Sequence, residues 1–363
     1  MKKLKVGVVF GGQSGEHEVS RVSAASVMRV MDKSKYDILP IGISKEGKWY
    51  IFEGDLSKIE DGSWQQEAIP ALLPPNTDYK CIITLENGMQ TKYNLDVIFP
   101  VLHGPRGEDG TIQGIFELMN IPYVGCGVSS SAICMDKVFA KMILRQEGLP
   151  VVDYKVYHKK ALSLALPDII AEIESSFGYP CFVKPANMGS SVGISKAHDR
   201  SKLETALHTA ADYDVKVLVE AFIDAREIEC SVLGNENPKA SIPGEIIPSN
   251  EFYDYTAKYC DGGKSKLLIP APLTAETVKK IQELAIKAFK TLDCSGMARV
   301  DFLLSKVSGT LYINELNTIP GFTSISMYPK MWEASGLTYI QLIDELIELA
   351  IKRHQQKQQL KLY

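Results

Sequence analysis

The chain has 363 residues, a formal net charge of −4 and 23% charged residues. This length exceeds that of one typical domain, so two or three domains are expected. The mild acidity argues against a protein that binds nucleic-acid backbones, which would normally carry a basic face, and small molecules are the expected partners.

The seven cysteines are scattered and include no pair with the spacing of a zinc or redox motif. They are typical of reduced core residues in a cytoplasmic protein. The opening residues, MKKLKVGVVFGG, contain too short an apolar run for a signal peptide, and no segment has the uninterrupted apolar length of a membrane span. The sequence therefore predicts a cytoplasmic protein with neither a membrane nor a nucleic-acid partner.

The first third of the chain predicts a parallel α/β unit. Its apolar first strand is followed by Gly11-Gly12 and then by helical spacing, the order of strand, glycine turn and helix. Residues 44–94 mix Gly, Pro, Trp and charge, which indicates an insertion of hairpin character. Residues 129–145 predict one helix, stopped by Gly148 and Pro150. Buried strands are predicted at residues 4–10, 36–43, 95–102 and 122–127.

From residue 151 the chain changes to shorter strands around helices, which favours α+β modules. Helices are predicted at residues 167–176, 201–211, 275–292 and 338–352. A further region begins with the strand at 226–234. These changes along the chain predict three domains, which are residues 1–125, 126–224 and 225–363.

The predicted hairpin of residues 296–304 and 310–317 carries charged and amide side chains on one face. With a turn centred near Ser308 and no bulge, Asp301 lies opposite Glu315 and Arg299 opposite Asn317, and all four project from one face because alternate strand residues share a side. The side chains on this face are Arg299, Asp301, Glu315 and Asn317. Two carboxylates and an amide oxygen suit Mg²⁺ rather than zinc, and Mg²⁺ usually keeps positions for phosphate oxygens. The set therefore predicts a nucleotide site, with Arg299 as a fixed cation for phosphate or an oxyanion.

An exposed hairpin with surface ion pairs is the alternative interpretation of these four side chains, because such pairs are common. The apolar neighbours Val300, Phe302 and Leu316 weaken it, since a well-packed strand seldom carries clustered acids without a function.

The segment CFVKPANMGSSVGIS places Lys184 on a strand directly before a glycine- and serine-rich loop at 189–193. Small residues let backbone N–H groups approach phosphate oxygens, and the lysine adds a point charge. Lys137 precedes this segment, and Glu220 and Glu227 follow it, where carboxylates could accept hydrogen bonds from ribose hydroxyls. Taken singly, each of these residues is better explained by solvent exposure or a hairpin turn.

Taken together and in this order, the motifs resemble those of the ATP-grasp enzymes, and specifically the D-alanine:D-alanine ligases of bacterial cell-wall synthesis. The motifs are GGQSGEHEVS, VLHGPRGEDGTIQG, MDKVFAK, VKPANMGSSVGIS, EFYDYTAKY, ARVDF and NELNTIPGFTSIS. Residues 44–94 are the part of the chain that these motifs support least. The resemblance implies a three-domain ATP-grasp architecture of α/β and α+β class, with an N-terminal Rossmann-like domain and ATP between the other two.

The resemblance also implies a reaction. ATP phosphorylates the carboxylate of one D-alanine, and the amine of a second attacks the acyl phosphate to give a peptidoglycan precursor. Two Mg²⁺ ions, with Mn²⁺ as an alternative, would be held by Asp301, Glu315 and Asn317. A homodimer is implied as well. The nucleotide-binding residues that the resemblance implies are Lys137, Lys184, Ser191, Glu220, Ala221, Phe222, Ile223, Glu227, Lys258 and Asn314.

The substrate and catalytic residues follow from the same resemblance. They are Glu16, His103, Glu108, Ser190, Lys258, Tyr259, Arg299, Gly321, Ser326 and Met327. Glu16 would hold the first ammonium, Arg299 and the Gly321 N–H the oxyanion, and Ser326 the second carboxylate. Tyr259 in EFYDYTAKY would link to Ser190 and Glu16 as part of a lid that excludes water, and Lys258 would contact phosphate.

Three alternatives stay open. The same fold could use D-lactate or D-serine as the second substrate, although Tyr259 is where relatives that make D-alanyl-D-lactate differ, which favours an amine. A dinucleotide-dependent dehydrogenase is suggested by Gly11-Gly12, but the full GxGxxG spacing is missing. A nucleotide-sensing protein without catalysis would need no oxyanion donor such as Arg299.

Overall fold

The structure is a computed structural model that describes residues 2–86, 89–248 and 265–361. The segment EFYDYTAKY, with Lys258 and Tyr259, lies outside the described residues. Three β-sheets with helices packed against them make up the described chain. Its six described cysteines are free and buried, as expected of reduced core residues. None of the described helices has the length and apolarity needed to cross a membrane.

The first sheet is built from the N-terminal third of the chain. Its strands are β1 (Leu4–Gly11), β2 (Tyr36–Ile43), β3 (Trp49–Ile51), β4 (Ile69–Leu72), β5 (Cys81–Glu86), β6 (Met89–Asn94) and β7 (Val97–Val101). Helices α1 (His17–Val30), α2 (Leu56–Asp61) and α3 (Thr111–Leu118) accompany them, with a 3-10 turn at Ser63–Gln66. The sheet order is β6-β5-β4-β3-β2-β1-β7, and β1 pairs in parallel with β2 and β7.

The glycine turn after β1 is required by backbone packing. Gly11 has a φ of 89°, and a Cβ there would lie 2.2 Å from the carbonyl oxygen of Ile43. Only glycine fits both conditions, so α1 can start close to the end of β1. The insertion at 44–94 adds antiparallel strands to the sheet and includes the hairpin of β5 and β6, as predicted.

Two sequence predictions in the next segment are wrong. Residues 122–127, all of which the structure describes, form no strand beyond an isolated bridge from Tyr123 to Ile98. Residues 129–145 form two helices, α4 (Val128–Met135) and α5 (Lys137–Gln146), rather than one. The break is Asp136, whose extended backbone lets its carboxylate cap α5 by accepting from the N–H groups of the second and third helical residues.

The remaining chain forms two antiparallel sheets. The second sheet contains β8 (Tyr154–His158), β9 (Cys181–Pro185), β10 (Ser195–Ala197) and β11 (Lys216–Ala221), in the order β10-β9-β11-β8, with α6 (Lys159–Phe177) and α7 (Arg200–Tyr213). The third contains β12 (Ala225–Gly234), β13 (Lys239–Ala240), β14 (Gly244–Ile247), β15 (Lys266–Leu268), β16 (Gly296–Ser305) and β17 (Leu311–Asn317), in the order β15-β14-β12-β16-β17, with β13 beside β12. Its helices are α8 (Ala275–Thr291), α9 (Met327–Ala334) and α10 (Tyr339–Gln358).

The cross-strand pairs that the sequence predicted in the β16–β17 hairpin are confirmed: Arg299 pairs with Asn317, and Asp301 with Glu315. The assumption of a regular hairpin is wrong, because the register shifts between Asp301 and Phe302. The extra residue is Asn314, which lies in the bulge directly before Glu315. A bulge re-aims side chains, and here both Asn314 and Glu315 line the same cavity.

The C-terminal helix packs on the N-terminal sheet. Leu342, Leu346 and Ile347 of α10 share one core with Val6 and Val8 of β1. On the same helix, Arg353 donates to the carbonyl oxygens of Gly125 and Tyr123 and to the hydroxyl of Ser295. Packing is therefore continuous across the predicted border at residue 125.

Candidate active site

Two neighbouring cavities, of about 480 and 470 Å³, lie among the three sheets. The inter-sheet cavity is bounded by Lys184 and Phe222 of the second sheet region and Asp301 of the third. The junction cavity is bounded by Glu16 and His103 of the N-terminal region together with C-terminal residues. Both cavities are lined by Lys137, Met188, Ser190, Glu229, Ile246 and Glu315. They therefore join into one two-part site.

The structure brings the sequence-predicted residues to these two cavities. Lining the inter-sheet cavity are Lys137, Lys184, Ser190, Ser191, Glu220, Ala221, Phe222, Ile223, Glu227, Asp301, Asn314 and Glu315. Lining the junction cavity are Glu16, His103, Glu108, Arg299, Asn317, Gly321, Ser326 and Met327. Residues far apart in sequence thus meet at one site.

The candidate metal ligands lie beside a buried arginine. Asp301 accepts two hydrogen bonds from Arg299, from Nε and Nη2, each at 2.7 Å. Burial alone would lower the pKa of Arg299, but Asp301 and Glu229 outweigh it and raise that pKa well above its usual range. The residues that the structure describes contain no group of three or more His, Cys, Asp and Glu side chains placed to hold one ion. The donor set of Asp301, Glu315 and Asn317 has two carboxylates and an amide, the oxygen chemistry that suits Mg²⁺.

A buried charge triad supports the lysine of β9. Glu220 is 2% exposed, and its two carboxylate oxygens lie 2.7 Å from Lys141 Nζ and 2.5 Å from Lys184 Nζ. Burial alone would raise the pKa of Glu220, but the two lysines outweigh burial and lower it to about 2. Lys184 also donates to Asn314 Oδ1 at 3.4 Å. Both oxygens of Glu220 are engaged by lysines, so in this state it orients Lys184.

Aromatic side chains also line the inter-sheet cavity. The rings of Phe182 and Phe222 have centroids 6.3 Å apart, and Lys196 Nζ lies 4.2 Å from the Phe222 centroid. The backbone N–H of Ala221 already donates to the carbonyl oxygen of Asp153. Such rings form an apolar surface against which a flat group such as a nucleobase can stack, and Lys184 Nζ lies 5.7 Å from the Phe182 centroid.

The glycine-rich loop closes over Glu16. Ser190 and Ser191 have φ values of 47° and 60°, a left-handed conformation that costs energy in residues other than glycine. Ser190 Oγ donates to Glu16 Oε1. A Cβ at Gly189 would lie 2.5 Å from Glu16 Oε2, and one at Gly104 would lie 2.8 Å from it. Glu16 is thus held between two glycines and a serine hydroxyl.

His103 links the N-terminal region to the C-terminal loop. Its Nδ1 lies 3.0 Å from the carbonyl oxygen of Ile319, and its Nε2 lies 3.3 Å from Ser23 Oγ. The carbonyl can only accept, so Nδ1 carries the proton and Nε2 accepts from the hydroxyl. Burial lowers the pKa of His103, which favours this neutral ring. Both ring nitrogens are therefore committed to holding the loop in place.

Glu108 is a buried carboxyl beside a second carboxylate. The backbone N–H of Gly104 donates to its Oε2 at 2.6 Å. Burial and the nearby Glu16 raise the pKa of Glu108 to about 8, against the opposing effect of hydrogen bonds from the backbone of Gly104 and Ile319. The carboxyl of Glu108 is accordingly mostly protonated at pH 7.

The loop after β17 presents backbone and hydroxyl groups to the junction cavity. Ser326 Oγ accepts from the N–H of Thr323 at 2.9 Å. A Cβ at Gly321 would lie 2.7 Å from that same Oγ, so any side chain at 321 would displace the hydroxyl. Met327 begins α9 at the same wall of the cavity.

Sequence reasoning missed four residues of this site. Lys141, Phe182, Ser23 and Glu229 contact predicted site residues but were not predicted. Lys141 could have been found, because it lies four residues after Lys137 and so shares its helix face. The other three contact their partners across elements that only the fold brings together.

The comparisons with known proteins agree with this geometry. Residues 5–126 match the model described as D-ala D-ala ligase N-terminus, and residues 143–348 match D-ala D-ala ligase C-terminus. The chain belongs to the D-alanine–D-alanine ligase family. The D-alanine–D-alanine ligase of Thermoanaerobacter sp. (strain X514) is 60% identical over 357 residues, 98% of this chain and 99% of that one. That of Ruminiclostridium cellulolyticum is 54% identical over 98% of this chain and 97% of its own.

Solved structures of this family superpose on the chain. The D-alanine–D-alanine ligase from Coxiella burnetii has a TM-score of 0.86 and 40% identity, covering 99% of this chain and 97% of that one. VanG D-Ala:D-Ser ligase from Enterococcus faecalis has the same TM-score and identity, covering 96% and 100%. The family is one of ATP-dependent ligases with the ATP-grasp fold, so the predicted fold class and enzyme class are confirmed. The dehydrogenase and the non-catalytic sensor are not supported.

Proposed function

We propose that the protein joins two D-alanine molecules at the expense of ATP, forming D-alanyl-D-alanine, ADP and phosphate. The observation that carries the proposal is the pair of joined cavities. One is lined by lysines and aromatic rings, which fits a nucleoside triphosphate, and the other has a carboxylate, an arginine and a serine hydroxyl, which fits two small amino acids. Residues 1–125, 126–224 and 225–363 are our proposed domains.

The chain's own residues would act by positioning and by charge. Lys137 and Lys184 would bind phosphate oxygens, with Lys184 oriented by Glu220. The neighbouring Ser191 and Asn314 would contact the phosphates, and Glu227 the ribose. Phe222 and the backbone of 221–223 would hold the adenine. The sequence places Lys258 and Tyr259 in the proposed lid segment.

In the junction cavity, Glu16 would hold the ammonium of the first D-alanine, and Ser326 the carboxylate of the second, beside Met327. Arg299 and the N–H of Gly321 would stabilise the oxyanion that forms when the amine attacks, an effect worth roughly 3–4 kcal/mol per donor in other enzymes. His103 and Glu108 would hold the loops that carry these groups.

Mg²⁺ would be held by Asp301, Glu315 and Asn317 and would supply charge for the phosphate oxygens. Two ions, with Mn²⁺ able to replace Mg²⁺, are our proposal for the loaded enzyme. We also propose a cytoplasmic homodimer that supplies peptidoglycan synthesis, and light scattering on the purified protein would measure its mass.

One assay tests the reaction. Purified protein with ATP, Mg²⁺ and D-alanine should release phosphate, and L-alanine should not replace the D form. Competition by D-serine and D-lactate, with products separated by mass, identifies the second substrate; D-serine is included because VanG, a relative, is named for it. No D-alanine-dependent phosphate release would refute the ligase proposal.

A further inference from the structure

Three carboxylates lie in a row across the middle of the third sheet. Glu229 of β12 is directly opposite Asp301 of β16, which is opposite Glu315 of β17. Opposite residues of paired strands project from the same face, so all three acids border the site. Glu229 lines both cavities and is 5% exposed. Glu229 lies outside the motifs that predicted the site, and the role proposed for Arg299 does not by itself give Glu229 a role.

Arg299 is shared between two of these acids. Its Nε lies 2.7 Å from Asp301 Oδ1 and 3.0 Å from Glu229 Oε2, and its Nη2 lies 2.7 Å from Asp301 Oδ2. Both oxygens of Asp301 are therefore engaged by the guanidinium. A metal ion bound to Asp301 would share this carboxylate with the cationic guanidinium, so the two positive charges would compete for the same oxygens.

Glu229 is a second anionic partner for Arg299, which stays in place when Asp301 turns toward a metal ion. It projects from a strand that pairs with β16 over ten residues, from Ala225 to Gly234, so its distance from Arg299 is set by the sheet. The part of the chain that the structure describes contains no cluster of three such side chains placed around one ion, and Glu229 instead lies against Arg299.

From this geometry we infer that Glu229 is a positioning residue: it holds the Arg299 guanidinium on the sheet while Asp301 turns its oxygens to the metal. The inference rests on the proposed function for the role of Arg299. Without Glu229 the guanidinium has to stay on Asp301 and compete with the metal, or leave Asp301 and lose its orientation toward the oxyanion.

The test is Glu229→Gln, which keeps the shape and removes the charge. We expect kcat to fall about tenfold, because the Arg299 guanidinium loses one anionic partner, with KM for ATP within about twofold of the wild type. Manganese titration followed by electron paramagnetic resonance, without turnover, should show about threefold or more weaker binding, because Arg299 then competes for Asp301.

The matched control is Glu174→Gln. Glu174 also pairs with an arginine, accepting hydrogen bonds from Arg200 Nε at 3.2 Å and Nη2 at 2.9 Å, and it lines neither cavity. The control should keep the kcat and the manganese affinity of the wild type. A Glu229→Gln protein with wild-type kcat, or with manganese binding equal to that of Glu174→Gln, would overturn the inference.

If Glu229→Gln does not fold, Glu229→Asp keeps the charge and withdraws it by one methylene group. The inference then requires an intermediate fall in kcat, and wild-type values would overturn it. If the wild type releases no phosphate with D-alanine, the proposed reaction fails, and the manganese titration still reports whether Glu229 frees Asp301.

Discussion

Lys137 Nζ lies 3.5 Å from Oε2 of Glu315, so that helix α5 and strand β17 meet at a charge pair on the wall of the inter-sheet cavity. The same Nζ donates to the carbonyl oxygen of Met188 at 2.7 Å, in the glycine-rich segment. One cation therefore connects helix α5, the loop and the acidic strand. A phosphate that enters between these three elements would take over contacts that Lys137 now makes to Glu315 and to the Met188 carbonyl oxygen. The elements themselves would not have to move.

The Glu315→Gln substitution tests the acidic strand. It keeps the size of the side chain but removes its charge, and we expect turnover to fall by about 1,000-fold or more, because metal-ion charge stabilisation is worth several kcal/mol. The melting temperature should stay within a few degrees. D-Alanine-dependent phosphate release and thermal unfolding measure the two effects. Glu345→Gln, on the exposed face of α10, is the control, and an active Glu315→Gln protein would return the hairpin to a purely structural role.

Lys141→Met tests the buried triad. Removing Lys141 leaves Glu220 with Lys184 alone, so Lys184 is held more tightly and is less available to phosphate. We expect KM for ATP to rise about tenfold with little change in KM for D-alanine, and stability to fall by about 1–3 kcal/mol, since a buried charge loses a partner.

The control for the triad is Lys155→Met. Lys155 pairs with Glu172 at 2.6 Å, but the glutamate is about half exposed, and such pairs contribute about 0–1 kcal/mol. Steady-state kinetics at varied ATP and a urea titration compare the two variants. An unchanged KM for ATP in Lys141→Met would show that the triad only stabilises the fold.

Gly189→Ala tests the seat of Glu16. The new Cβ would lie 2.5 Å from Glu16 Oε2, a distance that forces the carboxylate to move. We expect KM for D-alanine to rise about tenfold or more, because the ammonium loses a charged hydrogen bond. Gly114→Ala is the matched control, since a Cβ there meets nothing within 4 Å and alanine favours the helix it lies in. Equal KM values for the two variants would contradict this role of Glu16.

Local patterns predicted the strands and the acidic face well, because alternation and short turns encode which side chains share a side. The pairing of Asp301 with Glu315 followed from parity alone. The same reasoning failed at Asp136, where one side chain both ends α4 and caps α5. It also failed at Asn314, because a bulge depends on backbone packing rather than on hydrophobic pattern.

The long-range contacts could not be predicted from the sequence. Glu229 meets Arg299 only because β12 and β16 pair in one particular register, and strands separated by a helix carry no local signal of their register. His103 likewise meets Ile319 through the packing of α10 and the last loop onto the first sheet. The family resemblance supplied the site residues, and the fold supplied the residues that hold them.

Glu108→Gln tests the buried carboxyl through the pH dependence of stability. The unfolded chain releases this proton near the ordinary pKa of 4.5, whereas the folded protein retains it up to about pH 8. Between these values the folded state binds more protons than the unfolded state, so the stability contributed by Glu108 falls as pH rises.

Glutamine at position 108 resembles the neutral acid but has no proton that titrates in this range. The melting temperatures of the two proteins should therefore be similar near pH 5, and the variant should exceed the wild type by about 2–4 °C or more above pH 8. Glu345→Gln measured over the same pH range controls for the loss of a carboxyl, and a constant difference between Glu108→Gln and the wild type would show that Glu108 is ionised in the folded protein.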